Sequence, residues 1–154
     1  MLSDSSEICA SPEETFRHGT IIAGTSHAPL ILLEGGLGTG KTCWTKGFTA
    51  GKGIADLVSS PTYTLMNVYG KNENCVYHFD LYRLSTLEEL FDLGFFELIE
   101  EGITCVVEWC DRVPEIDYYP HLRVTFDIPL INGKEERNWR QIRWGQHSGK
   151  AIEL

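Results

Sequence analysis

The stretch Glu34-Gly35-Gly36-Leu37-Gly38-Thr39-Gly40-Lys41-Thr42-Cys43-Trp44 sets four glycines among six residues and then passes directly into Lys-Thr. Within it, Gly35-x-x-x-x-Gly40-Lys41-Thr42 fits the phosphate-loop pattern completely. Glycines let the backbone wrap around a phosphate and aim its N–H groups inward, where a side chain would block the approach. A helix beginning at Lys41 adds the positive end of its dipole at the same point. Lys41 is expected to reach the β- and γ-phosphates of a nucleotide, and the Thr42 hydroxyl to ligate Mg²⁺.

The flanking sequence suits the motif. On one side His27-Ala28-Pro29-Leu30-Ile31-Leu32-Leu33-Glu34 is a continuous apolar run, as in a buried parallel strand. On the other, residues 41–51 read as a short helix stopped by Gly51 and Gly53. Upstream, Ser11, Pro12 and Glu14 carry the cap, first-turn proline and capping-box glutamate of a helix over 11–25. Downstream, strands are expected over 59–70, opened by Pro61, over 75–84 and over 103–109. A helix is expected over 86–102, with Gly94 as its weak point. Segments 121–131 and 137–144 flank Asn132-Gly133, a dipeptide that favours a tight hairpin. The order predicts an α/β fold: a mainly parallel sheet with antiparallel additions, flanked by helices. Without repeats or linkers, one domain over 1–154 is the economical reading.

Composition narrows the function classes. An apolar share of 42% and a charged share of 23% are those of a soluble globular chain. No apolar run approaches the roughly 20 residues needed to span a bilayer. The acidic, polar start is unlike a secretory or transit signal, so a cytoplasmic location is expected. The formal charge of −9 argues against direct gripping of nucleic acid, which needs a basic stripe. Five scattered cysteines with no C-x-x-C or C-x-C pair point away from a zinc site or redox dithiol.

A phosphate loop also needs an acid for the metal and a group to orient the attacking water. Two strand-end carboxylates qualify: Asp80, closing Val76-Tyr77-His78-Phe79-Asp80, and Glu108, closing the run 103–108. Spacing alone does not say which takes which task. His78 shares a strand face with Asp80 and reads first as a core or rim residue. Arg83 is more simply a partner for an acid than for phosphate, and Asp111-Arg112 a polar turn. Tyr63, Tyr69, Tyr77, Tyr82 and Trp109 cluster around these motifs, packing being the usual reason for such residues.

Taken together, Gly35–Thr42, Ser60-Pro61-Thr62-Tyr63-Thr64-Leu65, Tyr77–Leu84, Leu93-Gly94-Phe95-Phe96-Glu97 and Val107-Glu108-Trp109 resemble, in order, the motifs of the TsaE (YjeE) family. These are small bacterial phosphate-loop ATPases needed for the threonylcarbamoyladenosine (t6A) modification of tRNA. The resemblance runs from about Thr15 to Trp109 and thins beyond. It implies ATP and Mg²⁺ as cofactors, and weak hydrolysis stimulated by the partners TsaB and TsaD, with tRNA engaged only through them. It also implies that Gly38, Thr39, Gly40, Lys41, Thr42 and Cys43 hold the phosphates, and that Thr42 and Glu108 hold the metal. Asp80 is then a second essential acid near the γ-phosphate, giving Lys41, Asp80 and Glu108 as the catalytic set. Thr15 falls where the family places a segment near the adenine, and Arg137 matches a C-terminal arginine to which no role is assigned. Departures are Gly36 in place of Asp, Cys43 in place of Thr or Ser, and Cys110 in place of Pro. Two other readings of the loop are a small-molecule or nucleoside kinase, for which no arginine-rich lid is evident, and a nucleotide-sensing module without catalysis.

Overall fold

The computed structural model describes residues 4–149; residues 1–3 and 150–154, part of the expected span 1–154, lie outside the described residues. Strand β2 (Leu30–Glu34) follows β1 (Ser5–Cys9) and helix α1 (Pro12–Thr25), and leads through the glycine loop into α2 (Lys41–Gly51). The chain continues through β3 (Met66–Lys71), β4 (Asn74–Asp80), α3 (Leu87–Asp92), α4 (Phe95–Glu100) and β5 (Thr104–Glu108). It ends with β6 (His121–Asp127), the small hairpin β7 (Leu130–Ile131) and β8 (Lys134–Glu135), and β9 (Arg140–His147).

One seven-stranded sheet has the order β1-β9-β6-β2-β5-β4-β3. Its four central strands, β6, β2, β5 and β4, are mutually parallel, while β1, β9 and β3 join antiparallel at the sides. The fold class is therefore the one expected from sequence. β2 is apolar from Leu30 to Leu33 because both of its faces are covered. Ile31 and Leu33 pack with Trp44, Phe48, Val106, Val124 and Phe126 beneath α1 and α2. Leu30 and Leu32 pack with Phe79, Leu90, Phe95, Val107 and Ile116 on the opposite face.

Helix α1 starts as its sequence dictates. Ser11 Oγ accepts from the Glu14 N–H at 3.2 Å, and the Glu14 carboxylate reaches back to the Ala10 N–H. Helices α1 and α2 then approach closely, since a Cβ on Gly47 would collide with the Phe16 carbonyl. The Thr20 hydroxyl donates to the Gly47 carbonyl across the same contact at 3.0 Å.

Three local expectations are corrected. The helix over 86–102 is two helices, because Gly94 adopts φ 77° and its N–H turns back to Phe91 O. The strand over 59–70 begins only at Met66. Ahead of it the Leu65 N–H closes a turn on Pro61 O at 2.8 Å, and Ser60 and Thr62 bond to each other at 2.7 Å. The polar start, for which the sequence reading named no element, contributes β1, an exposed edge strand paired with β9. Asn132-Gly133 does make a tight hairpin, with φ 54° and 80°, but it joins only the short β7 and β8.

Candidate functional site

The loop is shaped by its backbone. Gly40 caps α2 at φ 100° and Gly38 sits at φ 71°, a region open to glycine and costly for other residues. Thr39 Oγ1 donates to Gly36 O at 2.7 Å, and Lys41 Nζ donates to Gly35 O at 2.6 Å. Strand β2 is pinned just before the loop, where the Arg123 guanidinium on β6 pairs with the Glu34 carboxylate and, at 2.6 Å, with Asp117.

The two strand-end acids meet because β4 and β5 are parallel neighbours that place Asp80 directly opposite Glu108. Both carboxylates are buried, and both line a cavity of about 650 Å³ with Gly38, Thr39, Gly40, Lys41, Thr42 and Cys43. The structure thus brings Lys41, Asp80 and Glu108 to one pocket with Gly38, Thr39, Gly40, Thr42 and Cys43. Lys41 is buried, its Nζ 4.3 Å from the centre of the Trp109 ring. Burial lowers its pKa, opposed by the nearby Glu108, Asp80 and Asp111 charges. Trp109 holds φ 59°, a left-handed conformation that is costly for a bulky side chain.

Each acid is held separately. Asp80 Oδ2 accepts from Thr62 Oγ1 at 3.0 Å and Oδ1 from the Tyr82 N–H at 2.9 Å. Glu108 Oε2 lies 2.7 Å from His78 Nε2, and His78 is fully buried. Thr42, Asp80 and Glu108 offer only oxygen donors, the set a hard cation such as Mg²⁺ takes. No group of three or more His, Cys, Asp or Glu converges among the described residues, so an ion here would complete its shell with phosphate oxygens and water.

Sequence reading did not find two further groups. Thr62 bonds Asp80 across 18 residues of chain, and Arg140 Nη2 donates to Gly38 O at 2.9 Å across 102. Arg137, the arginine singled out from sequence, instead pairs with Glu135 at the surface. Thr15 is buried, its methyl 3.5 Å from where a Cβ on Gly40 would stand. The expectation that the aromatics mostly pack fails for Tyr63, which is 81% exposed with Arg83 stacked over its ring. Tyr69 and Tyr77 do pack. All five cysteines are free thiols, and burial pushes Cys105 and Cys110 up to about 12.

A glycine loop between a central parallel strand and a helix, facing acids on two neighbouring strand ends, defines the phosphate-loop class of α/β domain. Within that class the chain belongs to the TsaE family. The family model for the threonylcarbamoyl adenosine biosynthesis protein TsaE matches residues 9–139. The tRNA threonylcarbamoyladenosine biosynthesis protein TsaE of Treponema pallidum is 38% identical over 125 residues, covering 78% of this chain and 92% of the relative. Its namesake in Haemophilus influenzae is 39% identical over 117 residues, 70% of this chain and 72% of that one. The crystal structure of Bacillus subtilis YdiB superimposes with a TM-score of 0.71 at 28% identity, covering 97% of this chain and 88% of that one.

Proposed function

We propose that this protein is the ATP-binding and ATP-hydrolysing subunit of the machinery that makes t6A in tRNA, acting through a complex with TsaB and TsaD. The convergence of Lys41, Asp80 and Glu108 on one pocket at the phosphate loop carries this reading. Family membership supports the role in t6A formation, which is what the relatives are named for. The backbone N–H groups of residues 38–43 and the Lys41 ammonium hold the phosphates and offset their charge. Thr42 and Glu108 would hold Mg²⁺, which would supply charge neutralisation at the transferring phosphate. Asp80, fixed by Thr62 and the Tyr82 N–H, stands as the second acid, near the γ-phosphate.

The acidic charge of −9 fits a subunit that leaves tRNA to its partners. Slow turnover by the chain alone fits as well, since partners commonly supply the activating group in phosphoryl transfer. The test is ATP hydrolysis with and without TsaB and TsaD, beside t6A content in a Lys41→Ala strain. Stimulation by the partners and loss of t6A are expected. No stimulation together with unchanged t6A overturns the reading.

A further inference from the structure

Behind the pocket runs a chain of hydrogen bonds, buried at His78 and reaching the surface at Ser59, that the phosphate chemistry does not require. His78 is fully buried and Tyr69 is 4% exposed. The two imidazole nitrogens point in opposite directions: Nε2 is 2.7 Å from Glu108 Oε2, and Nδ1 is 3.1 Å from the Tyr69 hydroxyl. That hydroxyl donates to Ser59 O at 2.8 Å and accepts from the Ser59 N–H at 3.3 Å. Asn67 Nδ2 reinforces the junction, donating to Ser59 O at 3.3 Å. Ser59 opens the loop that carries Thr62, and Thr62 bonds the other acid, Asp80. The loop over 59–65 is therefore tied to both strand-end carboxylates, to one directly and to the other through Tyr69 and His78.

We propose that His78 and Tyr69 are positioning residues that fix the Glu108 carboxylate in the pocket and couple it to the loop over 59–65. The proposal rests on the reading of this pocket as an ATPase site. A ring with nitrogens on opposite sides suits the task, because one rigid side chain can engage both neighbours with little rotational freedom left to either. Burial makes the two His78 contacts costly to break, since a lost partner leaves a desolvated polar group. Any displacement of the Glu108 carboxylate is then felt at Ser59, and any displacement of the loop is felt at Glu108.

The decisive experiment is amide hydrogen exchange across 59–65 in the nucleotide-free protein, for Tyr69→Phe, Glu108→Ala and the double variant. Tyr69→Phe keeps the ring and removes one hydroxyl. Each single change is expected to raise exchange there about five- to tenfold, and the double variant no further, because both cut the same chain. A local anchor joining only Tyr69 to Ser59 predicts no response to Glu108→Ala; that result, or independent effects in the double variant, overturns the proposal. His78→Asn, which keeps a group near the Nδ1 position facing Tyr69 but none facing Glu108, is expected to raise exchange across 59–65 as Glu108→Ala does; unchanged exchange overturns the proposal. With Tyr69→Phe, kcat for ATP is expected to fall about fivefold while nucleotide affinity stays within about twofold, the mark of a misplaced acid rather than a damaged cradle. If the wild type neither binds nor hydrolyses ATP, the ATPase reading fails, and the exchange measurement still decides the coupling.

Discussion

The phosphate loop and the loop over 59–65 face each other across one pocket and are held in different ways. The first is gripped at both ends by buried elements, β2 and α2, and shaped by glycine backbone angles. The second is attached through side chains, Thr62 to Asp80 and Ser59 through Tyr69 and His78 to Glu108, and by the Asp80 N–H, which donates to Leu65 O at 3.0 Å. One wall of the pocket is thus built into the core, and the other hangs on the acids themselves. Damage to the first should read as lost phosphate handling or lost stability, and damage to the second as a misplaced acid.

Lys41→Ala strikes the built-in wall hardest. ATP hydrolysis in the presence of partners is expected to fall at least ~100-fold, as when one preorganised charge-stabilising donor is removed. A steady-state phosphate-release assay measures it, and retention of more than a tenth of the activity would detach the lysine from the chemistry.

Behind the same wall, the Trp44 indole N–H donates to His18 Nδ1 at 2.9 Å, leaving Nε2 buried without a partner and 3.9 Å from the Glu7 carboxylate. Burial lowers the His18 pKa to about 4, from 6.5. The unfolded chain therefore takes up a proton below pH 6.5 that the folded chain refuses until about pH 4. Stability from this site is complete above that window and is lost as pH falls through it, by about 3 kcal/mol in all. Denaturant unfolding at pH 7 and pH 4 checks this: His18→Gln should show a smaller loss than the wild type.

Gly47→Ala tests the close approach of α1 to α2. The added methyl meets the Phe16 carbonyl, and overpacking of this kind costs about 2 kcal/mol. A shift in the denaturation midpoint without loss of the 59–65 tethers would keep the two walls separate. The smallest effect belongs to Thr62→Val, which removes the donor to Asp80 but keeps the shape. About 1.5 kcal/mol is expected, read as faster amide exchange confined to 59–65, with residues 35–40 unchanged.

The built-in wall was legible in the sequence because its signals are local. Gly35 to Thr42 name the loop, the apolar run 30–33 names a strand covered on both faces, and Asp80 and Glu108 announce themselves by ending apolar strands. The hanging wall was legible only as a segment: Ser60 to Leu65 stood out as a motif of the family it resembles, but not its attachment. Nothing in Thr62 itself announces its bond to Asp80, and His78 differs from an ordinary core histidine only by what lies on either side of it. Arg140 reaches Gly38 from the far end of the chain, a contact set by the β6–β9 pairing rather than by any motif. The edge strand β1 escaped because its stabilisation is backbone pairing with β9, so its side chains carry almost no apolar pattern. At Gly94 the periodicity of two helices ran on as one, and only the left-handed glycine separates them.

Because β2 lies between β5 and β6, its pairing has a consequence for the order in which the protein is made. Neither neighbour is available until residues far downstream have left the ribosome: β5 ends at Glu108 and β6 at Asp127. The strand that launches the phosphate loop must wait with its apolar faces uncovered, a slow step characteristic of parallel pairing between distant segments. Synthesis halted before β6 would strand the nascent chain with an exposed hydrophobic ribbon, the species that chaperones retain and proteases remove.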